Sequence, residues 1–258
     1  MTGSTTRPRL FIDGYNLALD QGTGVATYSR NLSFALNRLG FEVGVLYGTR
    51  PTTSVDPLIR EIAFFDERVG ESPQWVEFLR RANRMVTSPF GERAVRVPIT
   101  GRVVADTFRD RLPHFDEIWN AQHLFQQAHA YFRVSGKPLT VRVRERPGIM
   151  HWTYPVPVHL PRVPNIYTMH DLVPLRLPYT TLDHKRRYLR LSRLLAKRAA
   201  HVVTVSENSR RDIINLLGVP EERVTNTWQS VEIPRRLTEA PMGTVRAEVA
   251  GSFGLEAG

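Results

Sequence analysis

Between residues 9 and 48 a short apolar run, RLFIDGYN, stops at Asp13 and Gly14, a helix-spaced segment follows, and a second apolar run, FEVGVLYG, closes the unit. In the middle segment Val25, Tyr28, Leu32, Leu36 and Leu39 fall near one face at 3.6-residue spacing, and Gly40 stands where a helix stops. Two strands joined through a helix re-enter a sheet in the same direction. The opening therefore dictates an α/β chain with a doubly wound, mostly parallel sheet.

The remaining text keeps this alternation, and 258 residues are enough for one large α/β domain or two small ones. WVEFLRRANRMV (75–86) has helical spacing, FDEIWNA (115–121) reads as a strand after Pro113, and QHLFQQAHAYFR (122–133) reads as a helix. Prolines crowd residues 137–164 around a short GIMHW strand, the pattern of a loop-rich rim. Beyond it come a strand at NIYTMHD, a long helix over 181–200, a strand at HVVTVSE, a helix at NSRRDIINLLG and an extended RVTNTWQSVEI. After Pro234 large apolar residues become sparse, so 235–258 reads as a linker with at most a short helix.

Several of these strands deliver polar groups to their carboxyl ends, where open parallel sheets bind ligands. By position, Asp13, His170 with Asp171, and Ser206 with Glu207 are candidates. An imidazole such as His170 can donate to a hydroxyl or phosphate oxygen and changes charge near neutral pH, while Asp171 either orients groups or caps the next segment. His151 follows its own strand with Trp152 and Tyr154 beside it, aromatic walls that suit a sugar or an apolar acceptor as well as a core. Ser206 or Asn208 also serves as a helix cap. In QGTGV, the backbone N–H groups of Gly22, Thr23, Gly24 and Val25 can approach an anion at a helix N-terminus. The spacing is neither G-x-G-x-x-G nor that of a P-loop, so an ordinary tight turn is the other reading.

Lys and Arg number 35 against 25 Asp and Glu, and the resulting +10 favours an anionic partner. On a helix over 185–198, Arg186, Arg187, Arg190, Arg193, Lys197 and Arg198 fall on one arc, with Tyr188, Leu191, Leu195 and Ala199 on the other. The apolar side packs on the sheet, leaving the basic side to solvent or an anionic membrane surface. Nucleic acid is not expected as a partner, because no recognition motif accompanies the charge. The chain has no cysteine, which removes thiolate chemistry and suits a reducing, cytoplasmic setting. No metal site is expected from His151, His170 and His184 at their irregular separations, and no G-x-S-x-G announces a hydrolytic triad. No stretch approaches the roughly 20 apolar residues of a spanning helix, and the N-terminus lacks the apolar run of a signal peptide.

In combination, IDGYNLALDQGTGVATYSRNL, IMHWTYPVPV, NIYTMHDLVPLRLP and HVVTVSENSRRDIINLLGVPEERVTNTWQSVEIP resemble the N-terminal half of retaining glycosyltransferases of the GT-B fold, family four. The likeness covers most of the chain except about residues 50–145. It implies a Rossmann-like acceptor-side domain over 1–234. Residues 235–258 would then be a linker toward a C-terminal donor domain, with its paired glutamates, absent from this chain, which alone would be inactive. It also implies transfer of a sugar from a nucleotide sugar to a lipid-linked or polysaccharide acceptor, with no metal or other cofactor. By that resemblance Gly22, Thr23, Gly24 and Val25 lie on the donor-phosphate side, and His170 with Asp171 beside the donor sugar as catalytic groups. His151, Trp152 and Tyr154 lie toward the acceptor, and Asp13, Ser206 and Glu207 in the cleft. The expected location is cytoplasmic and peripheral on the inner face of a membrane. The alternative reading is a non-catalytic α/β module that binds an anionic polymer or a partner subunit.

Overall fold

A computed structural model describes residues 7–17, 24–49, 61, 64, 91–100, 112–182, 184–230, 239 and 241–254. The expected helix at 75–86 and the donor-side positions Gly22 and Thr23 lie outside them. The opening unit forms as the sequence dictates. β1 (Arg9–Asp13), α1 (Gly24–Arg38) and β2 (Glu42–Tyr47) make a parallel crossover, in register from Arg9 opposite Glu42 to Asp13 opposite Leu46. The period-two pleat sends Leu10 and Ile12 to one face of β1 and Phe11 to the other, each into its own apolar cluster. Gly44 stands opposite Phe11 on β2, and a methyl group there would overlap the Phe11 ring. The missing side chain makes room for the larger one.

The later elements are β3 (Glu92–Arg93), β4 (Val95–Val97), β5 (Glu117–Asn120), α2 (Leu124–Ser135), β6 (Leu139–Arg142), β7 (Ile149–Trp152), β8 (Val158–His159), β9 (Asn165–Thr168), α3 (Val173–Arg176), α4 (Lys185–Arg198), β10 (His201–Thr204), α5 (Glu207–Leu217), β11 (Val224–Asn226) and α6 (Met242–Phe253). The main sheet has the order β11-β10-β9-β7-β1-β2-β5-β4, parallel throughout except for β4 against β5. From β1 the chain builds outward through β2 and β5, then returns to the other flank of β1 with β7 and continues through β9, β10 and β11. The topological switch, where such sheets open a crevice, therefore lies between β1 and β7.

One face of the sheet packs Leu10, Ile12, Val43, Val45 and Ile118 against Leu36 of α1. The other packs Phe11, Trp119, Met150 and Tyr167 with Phe132 of α2, Leu191 and Leu195 of α4 and Ile213 of α5. The arc drawn on α4 from the sequence holds: Leu191, Leu195 and Ala199 are buried, and all six basic residues of the opposite arc are exposed. The loop-rich rim is more ordered than its prolines imply, because β3, β6 and β8 form a second, three-stranded parallel sheet. Strands of two to four residues separated by prolines are too short to register as periodicity.

Helix α5 shows how local chemistry fixes an element. Ser206, in extended conformation, caps it by accepting from Ser209 N at 3.1 Å, and Gly218 ends it in the left-handed conformation at φ 70°. Ser206→Ala is expected to cost about 1 kcal/mol, read by urea denaturation at neutral pH. An unchanged midpoint would remove the cap from the account.

A crevice at the switch point

Asp13 ends β1 at the switch point and is fully buried. Its carboxylate joins the two strands that part there: Oδ2 accepts from the backbone N–H of Thr153 and from Thr153 Oγ1 at 2.9 Å, and Oδ1 accepts from Tyr15 N at 3.1 Å. Burial pushes its pKa up to about 6, against the lowering effect of those hydrogen bonds, with desolvation the larger influence. Asp13 is thus a clamp that sets Thr153 rather than a group open to a ligand. Helix α1 is tied to the same point, since Ser29 Oγ donates to Thr153 Oγ1 at 2.8 Å.

Thr153 in turn holds His170. The imidazole Nε2 lies 3.0 Å from the Thr153 carbonyl oxygen, and a carbonyl can only accept, so Nε2 carries the proton. Burial lowers the His170 pKa, outweighing the bond to Thr153 and the charge of Asp171, which act in the opposite direction. The ring is therefore neutral at pH 7, and its Nδ1 is a lone-pair acceptor. Tyr28 of α1 stands edge-on to it, with ring centroids 5.0 Å apart. The Tyr28 hydroxyl lies 3.1 Å from Thr168 Oγ1, which lies 2.8 Å from His151 Nε2. His151 is only 7% exposed, and burial, followed by the neighbouring His170, lowers its pKa to about 4. It is neutral at pH 7, and its tautomer sets the direction of the chain: from Tyr28 O–H through Thr168 O–H to His151 Nε2, or from His151 Nε2–H through Thr168 O–H to the Tyr28 oxygen.

Asp13, His151, His170 and α1, through Tyr28 and Ser29, are thus joined in one network at the switch point. The other expected residues do not meet there. Trp152 is fully buried, stacked on Tyr167, and its N–H donates to Asn165 Oδ1 at 2.9 Å, so it is a core residue and not an acceptor wall. Tyr154 is half-buried and stacks on Tyr15. Asp171 is exposed, and its Oδ1 accepts from Val173 N at 3.0 Å, which makes it the cap of the following turn. Ser206 caps α5, and Glu207 pairs with Arg210 at 3.1 Å. Tyr28, Ser29, Thr153 and Thr168 belong to the crevice and carry no sequence signal of their own. Thr153 is next to a flagged strand, but its partner Asp13 is 140 positions away.

The same sheet edge holds buried polar atoms with no hydrogen-bond partner: Asn16 Nδ2 just after β1, Thr204 Oγ1 at the end of β10 and Asn226 Nδ2 at the end of β11. Orphaned buried polar groups cost about 1–3 kcal/mol each, and their position at the carboxyl ends of strands fits a ligand-facing edge. Among the described residues no group of three or more His, Asp or Glu is placed to hold a metal ion. No described helix is long and apolar enough to cross a membrane.

No significant match was found among curated proteins. Among solved structures the chain is similar to sucrose-phosphate synthase from Thermosynechococcus elongatus, at 13% identity and a TM-score of 0.44, over 95% of this chain and 52% of that one. It is also similar to a mutant of S. aureus TarM in complex with fondaparinux, α-GlcNAc-glycerol and UDP, at 11% identity and a TM-score of 0.41, over 88% of this chain and 62% of that one. The chain thus spans less than two thirds of the length of either structure. A family model described as Glycosyltransferase Family 4 matches residues 22–226, from just before α1 to the last residue of β11. With every main-sheet strand except β1 inside that match, the chain belongs to Glycosyltransferase Family 4.

Proposed function

We propose that this chain is the acceptor-side domain of a retaining glycosyltransferase, which moves a sugar from a nucleotide sugar to a lipid-linked or polysaccharide acceptor without a metal ion. The family match over 22–226 carries the reading, and the crevice between β1 and β7 supports it. Retaining transfer needs the leaving diphosphate stabilised and the developing positive charge on the sugar accommodated, and preorganised dipoles do both. The N-terminus of α1 supplies such dipoles. It has no acidic residue in its first turn, and the space beside Gly24 is open, so a phosphate can approach the backbone there.

His170 takes a narrower role than its residue type allows. With Nε2–H committed to Thr153 and the ring neutral, Nδ1, which has no partner among the described residues, accepts a hydrogen bond and offers nothing to a phosphate oxygen. A sugar hydroxyl is the matching partner. Asp13, His151 and Tyr28 act through Thr153 and Thr168 as positioning residues.

The test is transfer from a panel of nucleotide sugars to a lipid-linked acceptor, with the anomeric configuration of the product read by NMR. Retained configuration supports the reading and inverted configuration defeats it. This chain by itself is expected to show little turnover. No transfer by the intact enzyme, together with salt-sensitive binding of polyanions, would instead favour a binding module.

The exposed arginines of α4 support docking to an anionic membrane. Arg190 stacks over Phe132 at 5.1 Å and is best left in place. Replacing Arg186, Arg193 and Lys197 by glutamine is expected to weaken flotation with anionic liposomes about tenfold. Undiminished flotation would exclude this face.

A further inference from the structure

A cavity of about 620 Å³ lies apart from the crevice, lined by Thr140, Val143, Leu160, Pro161 and the four arginines Arg142, Arg144, Arg146 and Arg162. Arg144 and Arg146 lie on the segment entering the amino end of β7, and Pro161 and Arg162 on the turn entering that of β9. The cavity is therefore at the opposite end of the main sheet from Asp13 and His170.

Carboxylates that would neutralise it are engaged elsewhere. Arg9 collects Glu42 at 3.6 Å, Glu145 at 3.5 Å and the buried Glu117, so the only acid between Arg142 and Gly148 is already paired outside the cavity. Arg144, Arg146 and Arg162 form no ion pair among the described residues. Like charges gathered in one concavity repel one another, and among the described residues no ion pair offsets those of Arg144, Arg146 and Arg162.

The wall that carries Arg162 is also built. Asn165, 2% exposed, clamps the turn: its Oδ1 accepts from Leu160 N at 3.0 Å, and its Nδ2 donates to Leu160 O at 2.7 Å and to Val163 O at 2.9 Å. Within that clamp Arg162 is held at φ 63°, a left-handed conformation that a long side chain seldom adopts. All the cationic groups in the lining are guanidiniums, whose planar forks match tetrahedral oxyanions with two parallel hydrogen bonds. Val143, Leu160 and Pro161 give the cavity an apolar flank, which strengthens such bonds.

We infer that this cavity is a second ligand site, independent of the transfer crevice, that takes a compact phosphate-bearing anion such as a phosphomonoester or diphosphate group. A free metabolite and a lipid headgroup carry the same chemistry, and the experiment separates them. Isothermal titration of the 258-residue chain with inorganic pyrophosphate is run beside sedimentation with phosphatidylcholine vesicles containing phosphatidic acid. Three variants are compared: Arg144→Gln with Arg146→Gln; Arg162→Asn, which tolerates the left-handed turn; and Arg211→Gln with Arg246→Gln, exposed arginines outside both the cavity and α4, as a charge-matched control. Circular dichroism melts confirm that each is folded.

Saturable binding weakened about tenfold or more in both cavity variants and little changed in the surface control is the expected result. If pyrophosphate binds with that variant dependence and vesicle binding is indifferent to the cavity variants, the ligand is free in solution. If vesicles bind with that variant dependence and pyrophosphate does not, it is a headgroup. Equal weakening in the surface control, or no saturable binding of either probe, overturns the site.

Discussion

Replacing His170 by alanine is expected to lower transfer by the intact enzyme about 100-fold, the scale of losing one preorganised polar contact to the reacting sugar, while shifting the melting temperature little. The imidazole is half-buried, and its bond to the Thr153 carbonyl opens toward solvent once the ring is gone, so water can replace the lost donor. Among the described residues its Nδ1 has no protein partner to lose. The effect should therefore fall on turnover. His170→Gln, whose amide N–H can still reach Thr153 O, should recover part of the loss if orientation matters. Unchanged turnover with a lowered melting temperature would make His170 a structural residue and remove the strongest group from the crevice.

The second large effect is a hidden pair of opposed pH dependences. Asp13 holds its proton more tightly when folded, its pKa rising from 3.8 to about 6. The folded state keeps a proton that the unfolded chain loses, so its contribution is full below pH 3.8 and is lost as pH rises to about 6. His151 runs the other way, its pKa falling from 6.5 to about 4. Its contribution is full above pH 6.5 and is lost as pH falls toward 4. Each spans about two pK units, worth about 3 kcal/mol, and the windows overlap, so the two slopes largely cancel. Asp13→Asn removes one of them while keeping an acceptor for Thr153 N. The variant is expected to lose about 3 kcal/mol more than the parent chain between pH 6.5 and pH 4 in denaturant titrations. Parallel profiles for the two proteins would show that the buried carboxyl does not carry this load.

Much of the scaffold could be read from the chain. The β1–α1–β2 unit, the α4 arcs and the ends of α5 follow from spacing and caps, which are local properties. The small second sheet could not, because strands such as Val158–His159 exist only through pairing with a neighbour found far along the chain. The candidate site was legible in part. Asp13, His151 and His170 stood out because strand ends face the crevice, whereas Trp152, Asp171, Ser206 and Glu207 shared that position and proved to serve core, turn and cap. A strand end tells where a residue is, not whether its polar atoms are already taken.

Residue spacing by itself determined the parallel crossover, the basic face of α4 and the set of strand ends that compete for the crevice, since periodicity and capping act within a few residues. Tertiary structure alone decided that the Asp13 carboxylate would be spent on Thr153, that His170 would be left with an acceptor rather than a donor, and that Arg144, Arg146 and Arg162 would share a cavity with no carboxylate among its described lining residues. Those outcomes depend on burial and on hydrogen bonds between residues far apart in sequence, and protonation state follows from both.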